Sequence, residues 1–222
     1  MTIEKDFQLM IELQNKLNSY VNPDWKAAKQ DWIRAAWIEC AELMDHIGWK
    51  WWKQQIPNIP QAQIELVDIF HFLLSQSLVD NVDTEVLIEA YEYSENLHRD
   101  WKSESNFNTL AGIEILVFDL MTDGHHGCYY EDFFALCKEL DLSFESLVKQ
   151  YISKNVLNIF RQDKGYKTGD YIKEWPSPIE PNKLVEDNVF LEMFMGEANA
   201  IGLEGKELFD YVYGRLVESY PN

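Results

Sequence analysis

Four carboxylates arranged in two pairs are the residues whose spacing points most directly to chemistry. Glu39 and Glu42 form one pair, Glu65 and Asp68 form the other, and each pair lies in an apolar segment of helical character. Residues three positions apart lie on one face of a helix, so each segment points two carboxylates the same way. Four acids at one place cannot all stay ionised without a cation, and all-oxygen ligands favour Mg²⁺ or Mn²⁺. The pattern predicts a metal site; the alternative is a set of solvated acids on amphipathic helices.

Two helices must hold these acids. The first is predicted from Asp31 to Ile47 with Gly48 ending it, and the second from near Pro60 to about Ser77. The second helix is apolar on nearly all sides, which predicts burial, and buried ionised acids need a partner or a metal. An antiparallel arrangement across the short connection would bring all four carboxylates together. A ferritin-like di-metal bundle would need Glu-x-x-His pairs, which neither helix carries.

The first predicted helix, capped by Thr2 and running to about Tyr20, carries two amides within its apolar face. Gln14 and Asn18 must find hydrogen-bond partners if they are buried there. One interpretation is a hydrogen bond between helices in the core. The other is a pair of amides that reads the edge of a nucleobase, since each amide offers a donor and an acceptor.

A basic stretch at residues 154–173 stands out in an otherwise acidic chain. Lys154, Asn158 and Arg161 recur on one helical face. They are followed by a glycine-containing loop that carries further cations and tyrosines, namely Lys164, Tyr166, Lys167, Tyr171 and Lys173. Cations that complement a helix C-terminus would explain one or two of these residues. The whole set favours a phosphate-binding segment.

The composition restricts the class of protein. The 222 residues are 46% hydrophobic with only 10 Gly and 7 Pro, and alternating β-type runs are few, which predicts an all-α chain. A net charge of −19 argues against nucleic-acid and anionic-membrane partners. The odd set of Cys40, Cys128 and Cys137 indicates free thiols, and neither a signal peptide nor a membrane-spanning run is recognised. The expected location is cytoplasmic.

The remaining segments predict further helices and one aromatic cluster. The helices are expected at about 84–100, 107–121, 130–140, 143–164, 182–195 and 204–219. In the cluster Trp49, Trp51 and Trp52, two tryptophans are expected in the core, while one beside the acids could stack on a ring. His71 is expected to be a hydrogen-bonded core residue, and the pair at 125–126 to lie in a solvated turn.

Taken together, these residues indicate metal-dependent phosphoanhydride chemistry on a nucleotide, without choosing the base. At this point the sequence resembles a known family. The acids match the ExxE…ExxD signature of the all-α NTP pyrophosphatases, and the flanking segments resemble the dimeric dUTPases. These segments are LQNKLN (13–18), ECAELMDHIGWKWWK (39–53), ELVDIFHF (65–72) and KNVLNIFRQDKGYKTGDY (154–171). With the helices between them, the resemblance covers about residues 5–175.

The resemblance implies hydrolysis of dUTP to dUMP and pyrophosphate, and of dUDP to dUMP and phosphate, which lowers dUTP and supplies dUMP for dTMP synthesis. It implies Mg²⁺, with Mn²⁺ as a substitute, held by Glu39, Glu42, Glu65 and Asp68, and attack by water on the β-phosphorus. Glu42 would orient or deprotonate that water. The fold implied is a four-helix core in a homodimer whose partner subunit completes the uracil pocket.

The resemblance also implies a set of substrate-binding residues. Gln14 and Asn18 would read uracil with Trp51 stacking near it, and Asn158 with Asp68 would meet the deoxyribose 3′-hydroxyl. The residues expected to contact the phosphates or to complete the substrate site are Lys53, Lys154, Arg161, Tyr166, Lys167 and Lys173.

The expected organisation is a single all-α domain over 1–222. Its core comprises about 1–80 and 141–175, with an inserted and mobile helical subdomain at about 81–140 and C-terminal helices at about 182–222. Two alternatives remain open on the sequence. One is a related NTP pyrophosphatase that prefers another base, such as that of dCTP. The other is a catalytically silent nucleotide sensor on the same fold.

Overall fold

The computed structural model describes residues 2–104, 109–123, 129–180 and 182–221. Helices dominate these residues, so the predicted all-α class is confirmed. The helices are α1 (Ile3–Val21), α2 (Trp32–Ile47), α3 (Ile59–Asp80), α4 (Thr84–Glu104), α5 (Thr109–Asp123), α6 (Tyr129–Glu139), α7 (Phe144–Asp163), α8 (Asp187–Ala200) and α9 (Gly205–Ser219). A 3₁₀ turn at Tyr166–Thr168 follows α7, and β1 (Glu174–Pro176) pairs antiparallel with β2 (Leu184–Glu186). None of the described helices has both the length and the apolar character that a bilayer span requires.

Local capping explains where the helices that carry the predicted site begin and end. Thr2 caps α1 with its side chain, and Asp31 caps α2 by accepting a hydrogen bond from the Arg34 amide at 3.0 Å. Gly48 ends α2 in the left-handed conformation at φ 84°, which glycine adopts without steric cost. Ser143 accepts a hydrogen bond from the Ser146 amide at the start of α7. These signals act within four residues, and the predicted ends are therefore confirmed.

The segment before α8 departs from the prediction. A helix was expected over about 182–195, but α8 begins at Asp187 because Leu184–Glu186 pair with Glu174–Pro176 as a short hairpin. Trp175, the middle residue of the first strand, is completely buried. Strands of three residues are too short to give a readable alternation. The predicted turn at His125 and His126 lies outside the described residues, as does Cys128.

The chain divides into two compact units, and the first comprises Met1–Trp25 and Val148–Asn222. It contains α1, most of α7, the hairpin, α8 and α9. Its core is built from large side chains that are almost wholly buried, including Phe7, Met10, Tyr151, Phe160, Trp175 and Phe194. Aromatic edges meet around Phe160, whose ring centroid lies 5.9 Å from that of Trp175 and 5.4 Å from that of Tyr220.

The second unit comprises Lys26–Leu147. Helices α2 and α3 pack together along their lengths, and α6 packs against α3, α4 and α5. Phe70 of α3 stacks on Phe133 of α6, with centroids 4.9 Å apart and planes 9° apart. The two acidic helices thus share a unit with residues 81–140, whereas the sequence grouped them with α1 and α7. The expected single domain with an insertion stays a prediction.

Candidate active site

Three of the four predicted acids come together where α2 faces α3. Glu39, Glu42 and Glu65 each place a carboxylate oxygen within 4.8 Å of the other two. Glu65 is buried, Glu39 is half-buried and Glu42 is exposed, so the cluster opens from the core toward solvent. Asp68 is half-buried and lies one turn further along α3, outside this group of three. The buried position of Glu65 follows from the apolar surroundings that the sequence predicted for α3.

The donor set suits a small divalent cation. Oxygen ligands on opposite sides of Mg²⁺ are about 4.2 Å apart, since each Mg–O distance is about 2.1 Å. Three carboxylate oxygens already within 4.8 Å of one another could therefore reach one ion through small rotamer changes. Carboxylates are also the ligands that hard divalent ions prefer. The residues present fit the metal that the sequence resemblance implied.

A histidine that the sequence analysis did not select lies beside the acids. His46 Nε2 is 3.3 Å from Glu65 Oε1, and the His46 side chain keeps 32% of its exposure. His46 follows Glu42 by four residues and Glu39 by seven, so it lies on the same face of α2. That spacing was the available signal.

Cys40 lies next to Glu39 in the sequence but points into the core. Burial, with a contribution from the Glu39 charge, raises the pKa of the Cys40 thiol to about 12. Burial also raises the pKa of the Cys137 thiol. Both are free cysteines, as predicted, and at neutral pH both side chains are uncharged thiols. His71 is a buried core residue whose Nδ1 donates to the Val67 carbonyl at 2.7 Å, which confirms its predicted structural role.

The loop after α2 projects the aromatic cluster into solvent. Trp49, Trp51 and Trp52 are 38%, 89% and 56% exposed. The prediction that two of these tryptophans belong to the core is therefore wrong. The loop folds back on the end of α2 instead: the Asn58 amide donates to the His46 carbonyl at 2.8 Å, and the Lys50 amide donates to Gln55 Oε1 at 2.8 Å. Lys53 lies in the same exposed loop.

In the first unit, the two amides of α1 take part in a buried polar network. Gln14 and Asn18 are 3% and 7% exposed. Gln14 Nε2 donates to Asn18 Oδ1 at 3.2 Å, and Gln14 Oε1 accepts a hydrogen bond from the Tyr151 hydroxyl of α7 at 2.5 Å. The hydrogen bond between helices that the sequence suggested is present. The base-reading role of these amides stays a prediction.

Arg161 forms a buried ion pair that the sequence did not predict. Its Nε and Nη2 donate to Asp187 Oδ2 and Oδ1 at 2.8 and 2.9 Å. The Tyr171 hydroxyl donates to Asp187 Oδ2 at 2.7 Å, and Asp187 is completely buried. Burial alone would raise the pKa of Asp187, but hydrogen bonds from Arg161 and Tyr171 and the Arg161 charge hold it below its usual value. Asp187 lies far along the chain from Arg161, so no local pattern could reveal the pair.

The other predicted phosphate-binding residues surround the end of α7. Lys154 and Asn158 are half-buried on α7, whereas Tyr166 is 53% exposed in the following turn. Lys167 Nζ donates to the Val21 carbonyl at the end of α1 at 2.8 Å, and Lys173 Nζ donates to Glu186 Oε1 at 3.1 Å. Several of these cations therefore have intramolecular partners.

The comparison with known protein families supplies the identity that the geometry leaves open. A family model described as dUTPase matches residues 6–166, which is well over half of the 222 residues. The match includes the acid pairs, the amides of α1 and the whole of α7, and it ends before Tyr171 and Asp187. No curated protein matches the chain. The chain belongs to the dUTPase family and is a dUTP-hydrolysing enzyme of the all-α NTP pyrophosphatase type.

Proposed function

We propose that this enzyme hydrolyses dUTP to dUMP and pyrophosphate in a reaction that depends on Mg²⁺, and that dUDP is hydrolysed to dUMP and phosphate. The observation that carries the proposal is the group of three carboxylates, Glu39, Glu42 and Glu65, whose oxygens lie within 4.8 Å of one another. The family supplies the substrate, and the carboxylate cluster supplies the reason for a divalent ion. Mn²⁺ has the same preference for oxygen ligands and is the expected substitute.

In this proposal, Glu39, Glu42, Glu65 and Asp68 would hold the metal. A bound divalent ion neutralises developing phosphate charge and lowers the pKa of a coordinated water. Glu42 is the exposed member of the group of three, and we assign it the role of orienting the attacking water and accepting its proton. His46, 3.3 Å from Glu65, holds that carboxylate toward the cluster.

The substrate-binding residues keep the roles that the sequence resemblance gave them. Gln14 and Asn18 bind the uracil edge, Trp51 stacks on the ring, and Asn158 with Asp68 meets the 3′-hydroxyl. The exposure of Trp51, at 89%, supports a role outside the core. The phosphate contacts belong to Lys154, Arg161, Tyr166 and Lys173, while Lys53 and Lys167 complete the substrate site. A homodimer, in which the partner subunit completes the uracil pocket, and a cytoplasmic location belong to the same proposal.

Product analysis tests the proposal. The purified protein is incubated with Mg²⁺ and dUTP, dUDP, dCTP, dTTP or UTP, with EDTA as the metal control. We expect dUMP and pyrophosphate from dUTP, dUMP and phosphate from dUDP, and no product when EDTA is present. Turnover of dCTP would contradict the uracil-reading roles of Gln14, Asn18 and Trp51. Absence of turnover of every nucleotide would favour a silent nucleotide sensor.

A matched pair of variants tests the carboxylate cluster in the same assay. Glu42→Gln should lower dUTP turnover by about 10²–10⁴-fold, because the amide is a poorer ligand and cannot accept the proton. Its helix content should be unchanged, since Glu42 is exposed. Glu85→Gln, which alters an exposed acid at the start of α4, should retain normal turnover. Near-normal turnover of Glu42→Gln would remove the cluster from the mechanism.

A further inference from the structure

Asp187 is a completely buried carboxylate at the first position of α8, and it is surrounded by donors from two other segments. It accepts two hydrogen bonds from the Arg161 guanidinium on α7 and one from the Tyr171 hydroxyl in the loop that follows. A bidentate guanidinium–carboxylate pair fixes both distance and plane. Tyr171 and Asp187 lie beyond residues 6–166, the part of the chain that matches the dUTPase family.

The Arg161–Asp187 pair does not use the Nη1 donors of the guanidinium. Arg161 uses Nε and Nη2 for Asp187, and Nη2 also lies 3.4 Å from Asn188 Oδ1. No residue in the described ranges accepts a hydrogen bond from Nη1, whose two N–H groups remain as donors. The Arg161 side chain keeps 19% of its exposure, so it is not sealed from solvent. The hydrogen bonds and charge of Arg161 also keep Asp187 ionised at neutral pH.

We propose that Asp187, assisted by Tyr171, is a positioning residue that holds the Arg161 guanidinium so that Nη1 donates to the phosphate chain of the nucleotide. The inference rests on the proposed function, in which Arg161 contacts phosphate. A long side chain that is already fixed loses less conformational freedom when the ligand binds. A guanidinium held by its Nε–Nη2 edge also presents its remaining donors in one plane and one direction. Helix α8 thereby contributes to phosphate recognition without touching the substrate.

Calorimetry with a non-hydrolysable α,β-imido analogue of dUTP, and separately with dUMP, in the presence of Mg²⁺ provides the test. Asp187→Asn keeps the shape of the side chain but removes its charge and one of its acceptors. We expect it to weaken binding of the triphosphate analogue about tenfold or more, because a charge-assisted hydrogen bond to phosphate is misdirected. Binding of dUMP should change much less, since it lacks the phosphates in question.

Two further variants distinguish a positioning role of Asp187 from a role in stability alone. Tyr171→Phe removes one hydrogen bond to Asp187 and should give a smaller loss in the same direction. It also serves as the test if Asp187→Asn does not fold. Asp210→Asn removes an exposed carboxylate on α9 and controls for the change in net charge.

A purely structural role would lower the unfolding midpoint of Asp187→Asn while leaving the ratio of triphosphate to dUMP affinity unchanged, and that result would overturn the proposal. So would tighter triphosphate binding, which would mean that Asp187 competes with phosphate for Arg161.

A double-mutant cycle decides whether Asp187 acts through Arg161. If it does, Asp187→Asn combined with Arg161→Ala should bind the triphosphate analogue as weakly as Arg161→Ala alone. Additive losses would overturn the proposal. If Arg161→Ala itself leaves triphosphate affinity unchanged, the phosphate role of Arg161 fails, and the positioning role fails with it. If Arg161→Ala weakens binding but Asp187→Asn does not, only the positioning role fails.

Discussion

At the scale of single residues, the chemistry of the carboxylates depends on what lies beside them. Glu65 is buried and has His46 Nε2 at 3.3 Å, whereas Glu42 in the same cluster is exposed. Two glutamates in one cluster thus have different surroundings, which is the reason why the proposed mechanism assigns them different roles. The neighbour of a metal ligand sets its orientation, and such neighbours affect metal affinity strongly.

A prediction at this scale concerns His46. Removing its ring in His46→Ala should weaken Mn²⁺ binding to the nucleotide-free protein by about 10–100-fold, because Glu65 loses a group that orients it. His46→Gln retains a nitrogen donor at similar reach and should lose less. Electron paramagnetic resonance titration of free Mn²⁺ measures both affinities. Equal Mn²⁺ affinity in the wild-type protein and His46→Ala would show that His46 does not support the cluster.

At the scale of elements, the end of α2 determines where the tryptophans lie. Gly48 turns the chain out of the helix at φ 84°, and the loop returns through hydrogen bonds of Gln55 and Asn58 to the last turn of α2. Asp45 holds the start of the loop by accepting from the Trp49 indole at 3.2 Å and pairing with Lys50. Trp51 projects from the loop that these contacts hold in place.

Replacing Gly48 tests this turn. Gly48→Ala should destabilise the protein by about 1–2 kcal/mol, because a side chain disfavours the left-handed conformation. The added Cβ would also lie 3.3 Å from Gln55 Cβ. Gly196→Ala in α8 is the control, since its Cβ would meet nothing within 4 Å, and it should stabilise the helix by about 0.5–1 kcal/mol. Urea denaturation gives both values, and a neutral Gly48→Ala would contradict the strain argument.

The junction of α7 with α8 depends on the Arg161–Asp187 pair, and its stability contribution should depend on pH. The folded-state pKa of Asp187 is lowered, so the ionised form stabilises the fold above the unfolded pKa of about 3.9. This contribution is lost as the pH falls through the folded-state pKa. Asp187→Asn should therefore cost about 3–5 kcal/mol at pH 7, and the difference from wild type should shrink below about pH 4.

Urea denaturation of the wild-type protein and Asp187→Asn at pH 7, 5 and 3.5 measures this dependence. Asp210→Asn, which removes the exposed partner of Lys206, should differ from wild type by less than about 1 kcal/mol at pH 7. A difference between wild type and Asp187→Asn that stays constant down to pH 3.5 would show that the charge of Asp187 does not stabilise the fold.

At the scale of the whole molecule, net charge and exposed apolar surface have opposite effects on the association of two copies of the chain. The chain carries a net charge of −19, yet large apolar side chains such as Trp37, Ile38 and Trp51 are 44%, 56% and 89% exposed. Burying such side chains against another copy is favourable, whereas two strongly acidic copies repel one another. The proposed homodimer would reflect a balance of these two contributions.

Sedimentation velocity tests that balance. We expect a homodimer at micromolar concentration, and we expect its dissociation constant to fall as NaCl is raised from about 0.05 to 0.5 M, because salt screens the repulsion between acidic copies. Dimerisation that weakens with salt would indicate an interface held by ion pairs instead of apolar contacts. A monomer under all of these conditions would contradict the dimer and the shared uracil pocket.

Features that depend on neighbours within a few residues can be read directly from the amino-acid sequence. Thr2, Asp31 and Gly48 marked helix ends because capping involves neighbours within one turn. The spacing of Glu39 and Glu42 placed both acids on one face for the same reason. The resemblance to dUTPases, confirmed by the family match over residues 6–166, also depends on local motifs.

Contacts between residues that are distant in the sequence depend on how the whole chain folds. Tyr151 beside Gln14 and Arg161 beside Asp187 each join separate segments, so no local spacing reports these contacts. The spacing of His46 places it on the face of α2 that carries Glu39 and Glu42, but only the packing of α2 against α3 brings it to Glu65. The exposure of the tryptophans after α2 likewise could not be predicted from the sequence. An aromatic side chain favours burial wherever another element covers it, and whether one does depends on the packing of the whole chain.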